Sequence, residues 1–145
     1  MSNFGILKRQ LIYLEEINMK KVALITRNKI LAQSLAAAVR GMNDCNFEFF
    51  ILLDANQAVI DAEVLEIDVA LIDAMDRGTE EKATLMFFCE SLKKKLPLCH
   101  LLLLVSQDDL ARREIATQAK KNGLVDDFVF YDASLKYLFA KLAAY

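Results

Sequence analysis

Few side chains in this 145-residue sequence are suited to chemistry, and most of them fall at the ends of short apolar runs. Asp73 closes DVALID. Thr26, Arg27 and Asn28 lie at and just after the end of KVALIT. Asp54 follows FEFFILL, Ser106 ends LCHLLLLVS and Tyr131 ends DFVFY. No catalytic set is complete. The only histidine, His100, lies at the start of its run, away from Ser106, so no Ser/His/Asp triad is available. TRNKIL contains neither G-x-G-x-x-G nor G-K-[ST], which disfavours a dinucleotide cofactor or a P-loop nucleotide. Cys45, Cys89 and Cys99 form no C-x-x-C pair, so a zinc site is poorly supported. Cys99 and His100 are adjacent, and in a strand their side chains point to opposite faces. Arg27 and Lys29 flank a predicted helix start, where free N–H groups favour an anion such as a phosphate-bearing small molecule.

These residues need a scaffold, and the hydrophobic pattern describes one. Lys21–Thr26, Phe47–Leu53, Asp68–Asp73, Leu98–Ser106 and Asp127–Tyr131 are short β-rich apolar runs. Helical spacing lies between them. Asn28 caps a helix with the stripe Leu31, Leu35, Ala38 and Met42, and Gly41 stops it. Asp54 caps a helix with Val59, Ala62 and Leu65 inward. Thr79 opens a helix with Glu80 and Glu81 in its first turn and the inner stripe Leu85, Phe88, Cys89, Leu92 and Leu96. Pro97 ends it. Lys93, Lys94 and Lys95 are expected to form its solvated, dipole-matched end rather than a nucleic-acid patch. Asp108 or Asp109 opens a fourth helix, which stops at Asn122-Gly123. The last helix carries Leu135, Leu138, Phe139 and Leu142. Five strand–helix units imply one α/β domain, a parallel sheet covered on both faces. Ligands of such sheets bind beyond the carboxyl ends of the strands, where the residues named above collect.

Composition excludes other classes. Apolar residues make up 55% of the chain, which argues against disorder, and a single proline with four glycines argues against an all-β sandwich. The net charge of −2 gives no general reason for nucleic-acid binding. Apolar runs such as Leu101–Val105 are far too short to span a membrane, and MSNFGILKRQ lacks a signal-peptide layout. A soluble cytoplasmic protein is expected. Residues 1–18 lie outside the alternating pattern. Phe4, Leu7, Leu11 and Leu14 follow helical spacing there, so the segment reads as an N-terminal extension, either an amphipathic helix or a tail. The domain proper is expected over 19–145.

KVALITRNKILAQSLAAAVRG, DVALIDAMDRG, LLLLVSQDD and DDFVFYDASLKYLFAKL, in that order, resemble the receiver domains of bacterial response regulators. The resemblance implies the doubly wound, flavodoxin-like fold of the CheY-like superfamily, with strand order 2-1-3-4-5. It also implies phosphoryl transfer to an aspartate at the end of strand three, and Asp73 matches that position. Such transfer needs cationic support from Mg²⁺ and a lysine. Ser106 matches the hydroxyl that reads the phosphoryl group, and Phe128 matches a switch aromatic. The acidic metal-binding pair is replaced by Thr26 and Arg27, with Asn28 beside them, and Tyr131 replaces the lysine. Neither Asn28 nor Asp54 restores the pair, so Mg²⁺ binding is expected to be weak or absent, with no other cofactor. Asp73 is expected to form a fixed ion pair with Arg27. Phosphorylation at Asp73 with Arg27 as the substitute cation is the alternative.

The resemblance further implies signalling by protein contact, with a histidine kinase or an output protein as partner. Receivers often pair through the fourth helix, fifth strand and fifth helix. Here that face includes Arg112, Arg113, Asp126, Asp127, Lys136 and Lys141, whose mixed signs suit a twofold dimer. The expected function is that of a stand-alone, non-enzymatic receiver with phosphorylation weakened or lost. A phosphate-anion binding module on the same fold is the competing expectation.

Overall fold

A computed structural model describes residues 19–42, 47–74 and 82–145. Strands and helices alternate: β1 (Lys20–Ile25), α1 (Lys29–Arg40), β2 (Phe47–Leu52), α2 (Ala55–Leu65), β3 (Val69–Asp73), α3 (Lys82–Lys95), β4 (His100–Val105), α4 (Leu110–Lys121), β5 (Asp127–Phe130) and α5 (Leu135–Ala144). All strand pairs are parallel, in the order β2-β1-β3-β4-β5. The expected fold class and order are therefore observed. The expectations for Phe4 to Leu14, Cys45, the loop Met75–Gly78 and the start of α3 at Thr79 to Glu81 lie outside the described residues.

The sheet forms because its central strands are apolar on both faces. In β4, Leu101, Leu103 and Val105 pack with α2, α3 and α4, while Leu102 and Leu104 pack with α1 and α5. β1 and β3 alternate in the same way. Ala23, Ile25, Ala70 and Ile72 lie on the first side, and Val22, Leu24, Val69 and Leu71 on the second. Helix starts are fixed by short polar side chains that accept from free N–H groups. Asn28, Asp54, Asp109 and Ser134 cap α1, α2, α4 and α5.

Three stripes differ from expectation. Met42 is exposed because α1 ends at Arg40, and Leu135 is exposed on the first turn of α5. In α2 the most buried residues are Ala58 and Ala62, while Val59 and Leu65 are only partly buried. Small side chains let this helix approach the sheet closely. Among the described residues no helix is long and apolar enough to cross a membrane.

Candidate functional site

Asp73 is the last residue of β3, and the register places it beside Leu104 of β4 and next to the end of β1. Its residue surface is only 3% exposed. A buried carboxylate needs donors, and two hydroxyls supply them here. Thr26, equally buried, donates from Oγ1 to Asp73 Oδ2 at 2.6 Å. The phenol of Tyr131 donates to Asp73 Oδ1. Backbone ladders set both donors. Thr26 N–H donates to Leu52 O at 3.1 Å, and Tyr131 N–H donates to Val105 O at 3.0 Å. Tyr131 thus reaches across the end of β4 and ties the end of β5 to the end of β3.

The expectation for Asp73 named Arg27; the bonds from the Thr26 and Tyr131 hydroxyls were not part of it. Thr26 is buried at the end of β1, and Arg27, the next residue, is exposed. Sequence reading named Tyr131 as the residue filling the lysine position and did not foresee its bond to Asp73. It also treated Thr26 as a lost acid rather than as a donor.

The other nominated oxygens serve the backbone. Asn28 Oδ1 accepts from Leu31 N–H at 3.0 Å, and its own N–H donates to Thr26 Oγ1 at 3.0 Å. Asp54 Oδ1 accepts from Asn56 N–H at 2.9 Å. Ser106 shapes the entry to α4: its carbonyl accepts from Asp109 N–H at 3.3 Å and its hydroxyl from Asp108 N–H at 3.4 Å. Among the described residues no group of three His, Cys, Asp or Glu side chains is placed to hold a metal ion. Mg²⁺ requires hard oxygen ligands, usually carboxylates. Among the described residues at this end of the sheet the buried carboxylate is Asp73, which accepts from two hydroxyls, and Thr26 and Arg27 stand where the acidic pair was expected. Arg27 and Lys29 are both exposed beside the α1 N-terminus.

The two cysteines among the described residues, Cys89 and Cys99, are buried. Burial, with Glu90 nearby, pushes the Cys89 thiol up to about 12. Burial pushes Cys99 up to about 11, against the lowering effect of Lys93. Raised thiol pKa values mean little thiolate at neutral pH. His100 is not paired with Cys99. Its Nδ1 lies 3.4 Å from Asp126, and its ring faces Tyr145 at 5.1 Å.

Most charges of the nominated dimer face also make contacts within the chain. Arg112 pairs with Asp109 at 3.0 Å, and Arg113 donates to Gln107 O at 3.2 Å. Asp126 accepts from Leu101 N–H at 2.9 Å. Asp127 is buried, with Lys120 at 3.0 Å and Lys141 on its other oxygen. Burial raises the Asp127 carboxyl, but bonds from Lys141, Lys120 and Phe128 N–H outweigh this and hold it below its ordinary value. The bond to Asp127 raises Lys141 in turn. Lys136 is exposed on α5. Phe128 is half-buried against the α2/α3/α4 side of the core, edge-on to Phe130 at 5.7 Å.

Comparison with known structures bears on this architecture. The CheY-like receiver domain protein from Methanospirillum hungatei superposes with a TM-score of 0.67 at 14% identity, over 88% of this chain and 93% of that one. The signal receiver domain of an HD domain-containing protein from Pseudomonas fluorescens gives 0.68 at 16%, over 87% and 85%. The fold is that of a response-regulator receiver domain. The adenylate cyclase from Rhodopirellula baltica also superposes, with 0.70 at 17% identity over 86% of this chain and 85% of that one. No protein-family model matches the sequence, and no curated protein matches it. The shared feature is the receiver fold. The Thr26–Asp73–Tyr131 network is read from this chain's own residues.

Proposed function

We propose that this chain is a signalling module on the receiver fold that acts through contact with a protein partner, without Mg²⁺-dependent phosphorylation of Asp73. A histidine kinase or an output protein is the class of partner the fold suggests. The observation that carries the reading is the state of Asp73, buried with its two carboxylate oxygens bonded to the hydroxyls of Thr26 and Tyr131. A carboxylate that attacks phosphorus needs a free lone pair and nearby positive charge to balance the transferring group. Both hydroxyls compete for the lone pairs. The same bonds tie together the ends of β1, β3 and β5, which favours one fixed conformation of the surface above them.

The test is intact mass after incubation with acetyl phosphate and Mg²⁺, beside Asp73→Asn and a receiver known to be labelled. The expected result is no phosphoryl adduct on the folded wild type. An adduct on wild type that is absent from Asp73→Asn would overturn the reading.

A further inference from the structure

Helix α2 presents its small residues to the sheet and its branched ones to the outside. Ala58 and Ala62 are fully buried, whereas Ile60 is 56% and Val64 76% exposed. The helix lies beside β2, an edge strand with no other strand beyond it among the described residues. A cavity of about 300 Å³ lies between the two, lined by Phe50, Ile51, Leu52, Asp61, Val64 and Leu65. β2 itself reads FEFFIL over six residues, and Phe49, Phe50 and Ile51 are only half-buried. Edge strands are commonly guarded by lysine, proline, a bulge or short length, because their outward N–H and C=O groups accept another strand. β2 contains no lysine or proline, and its only charge is Glu48.

We propose that β2 pairs antiparallel with β2 of a second copy of this chain, centred on Phe50, joining two five-stranded sheets into one. The strand is complementary to itself in this register. Phe50 meets Phe50 of the second copy, Phe49 meets Ile51 and Glu48 meets Leu52, all apolar matches except the last. Cross-strand aromatic and branched pairs of this kind stabilise antiparallel sheets. The two Glu48 charges then lie four residues apart along the strand, roughly 14 Å, which exceeds the screening length of about 8 Å at physiological salt. Parallel pairing in register would set Glu48 against Glu48. The twofold operation also brings the Val64 side of α2 toward its counterpart across the extended sheet. The same β2 edge is used by each copy, so this isologous contact closes as a dimer instead of growing into a fibre. This interface lies on the opposite edge from β5, and it does not depend on the chemistry of Asp73.

The experiment is light scattering and sedimentation of the full chain with Val64→Lys and Ile51→Lys variants, together with hydrogen exchange over 47–53. The expected wild-type mass is twice 16.4 kDa. Both variants are expected at the monomer mass with an unchanged far-UV spectrum, and exchange over 47–53 should slow as protein concentration rises. Val64 is already exposed, so its replacement keeps the fold testable even if Ile51→Lys fails to fold. A wild type that stays monomeric up to its solubility limit overturns the proposal. So does a dimer that survives Val64→Lys. Concentration-independent protection of 47–53 in a monomer would assign the edge to another segment of the chain, and it too overturns the proposal.

Discussion

β2 and β5 are the edge strands of one sheet, and both carry phenylalanines that are only half-buried. β5 is short, at four residues, and its rings lie under cations: Lys120 is 5.8 Å from the Phe128 ring and Arg113 5.6 Å from that of Phe130. Its first residue, Asp127, is a buried anion bonded by Lys120 of α4 and Lys141 of α5. β2 is longer and carries a single acid, with exposed Val64 alongside. Mixed charges near an edge therefore do not by themselves mark an interface. Near β5 most of them bind one another and pin two helices to the strand, while the β2 edge carries few charges.

The largest expected effect is at Asp127. Replacing it with alanine leaves Lys120 and Lys141 without their shared anion. Removing one partner of a buried ion pair costs about 3–5 kcal/mol, but these lysine side chains are 50% and 28% exposed and can turn to water, so about 2 kcal/mol is expected. Urea unfolding measures it, and a loss below about 0.5 kcal/mol, the usual range for surface substitutions, would mean the staple is decorative. The pH dependence has a definite sign. Asp127 sits below its unfolded value, so its contribution is present above about pH 4 and is lost as pH falls through the lowered folded value. Lys141 is raised, so its share is present below about pH 10.4 and is lost as pH rises through its raised folded value. Asp127→Asn should flatten both limbs relative to wild type. Unchanged limbs would place the titrating group elsewhere.

The second effect is at the sheet's carboxyl end. Tyr131→Phe keeps the ring and removes the donor to buried Asp73. An unsatisfied buried acceptor costs about 1–3 kcal/mol; with Thr26 still bonded, roughly 1.5 kcal/mol is expected by urea unfolding. No change would mean that water or another group replaces the phenol at no cost.

The strands were legible because alternation and β-rich runs are local, and Leu101–Val105 reads as central because it is apolar on both faces; their order came from the family resemblance. The caps Asn28 and Asp54 were legible for the same reason. The site was legible as a set of positions but not as a set of bonds. Position placed Asp73, Thr26 and Tyr131 at one end of the sheet; which of Thr26 and Arg27 turns inward depends on the exit angle of β1. Asp127 gave a signal that was available and missed. It shares a face with Val129 in a strand whose inward residues are buried, and an acid there needs a cation from a neighbouring helix. Its partner Lys120 lay in a different element, and no local pattern connects them.

The smallest effect sharpens the contrast between the edges. Lys120→Met removes a half-exposed cation that serves both Asp127 and the Phe128 ring, so about 1 kcal/mol of stability is expected to go. Val64→Lys adds a charge to a side chain already in solvent. It also replaces a β-branched residue in a helix with a better helix former, so monomer stability should change by less than about 0.5 kcal/mol. The comparison must be made at protein concentrations low enough for wild type to be monomeric, because a dimer adds stability by mass action. Under those conditions the cation at the β5 edge matters to the fold and the apolar residue beside β2 does not. If Val64→Lys instead destabilises the isolated monomer by as much as Lys120→Met, Val64 belongs to the core of α2, and the two edges differ less than their residues suggest.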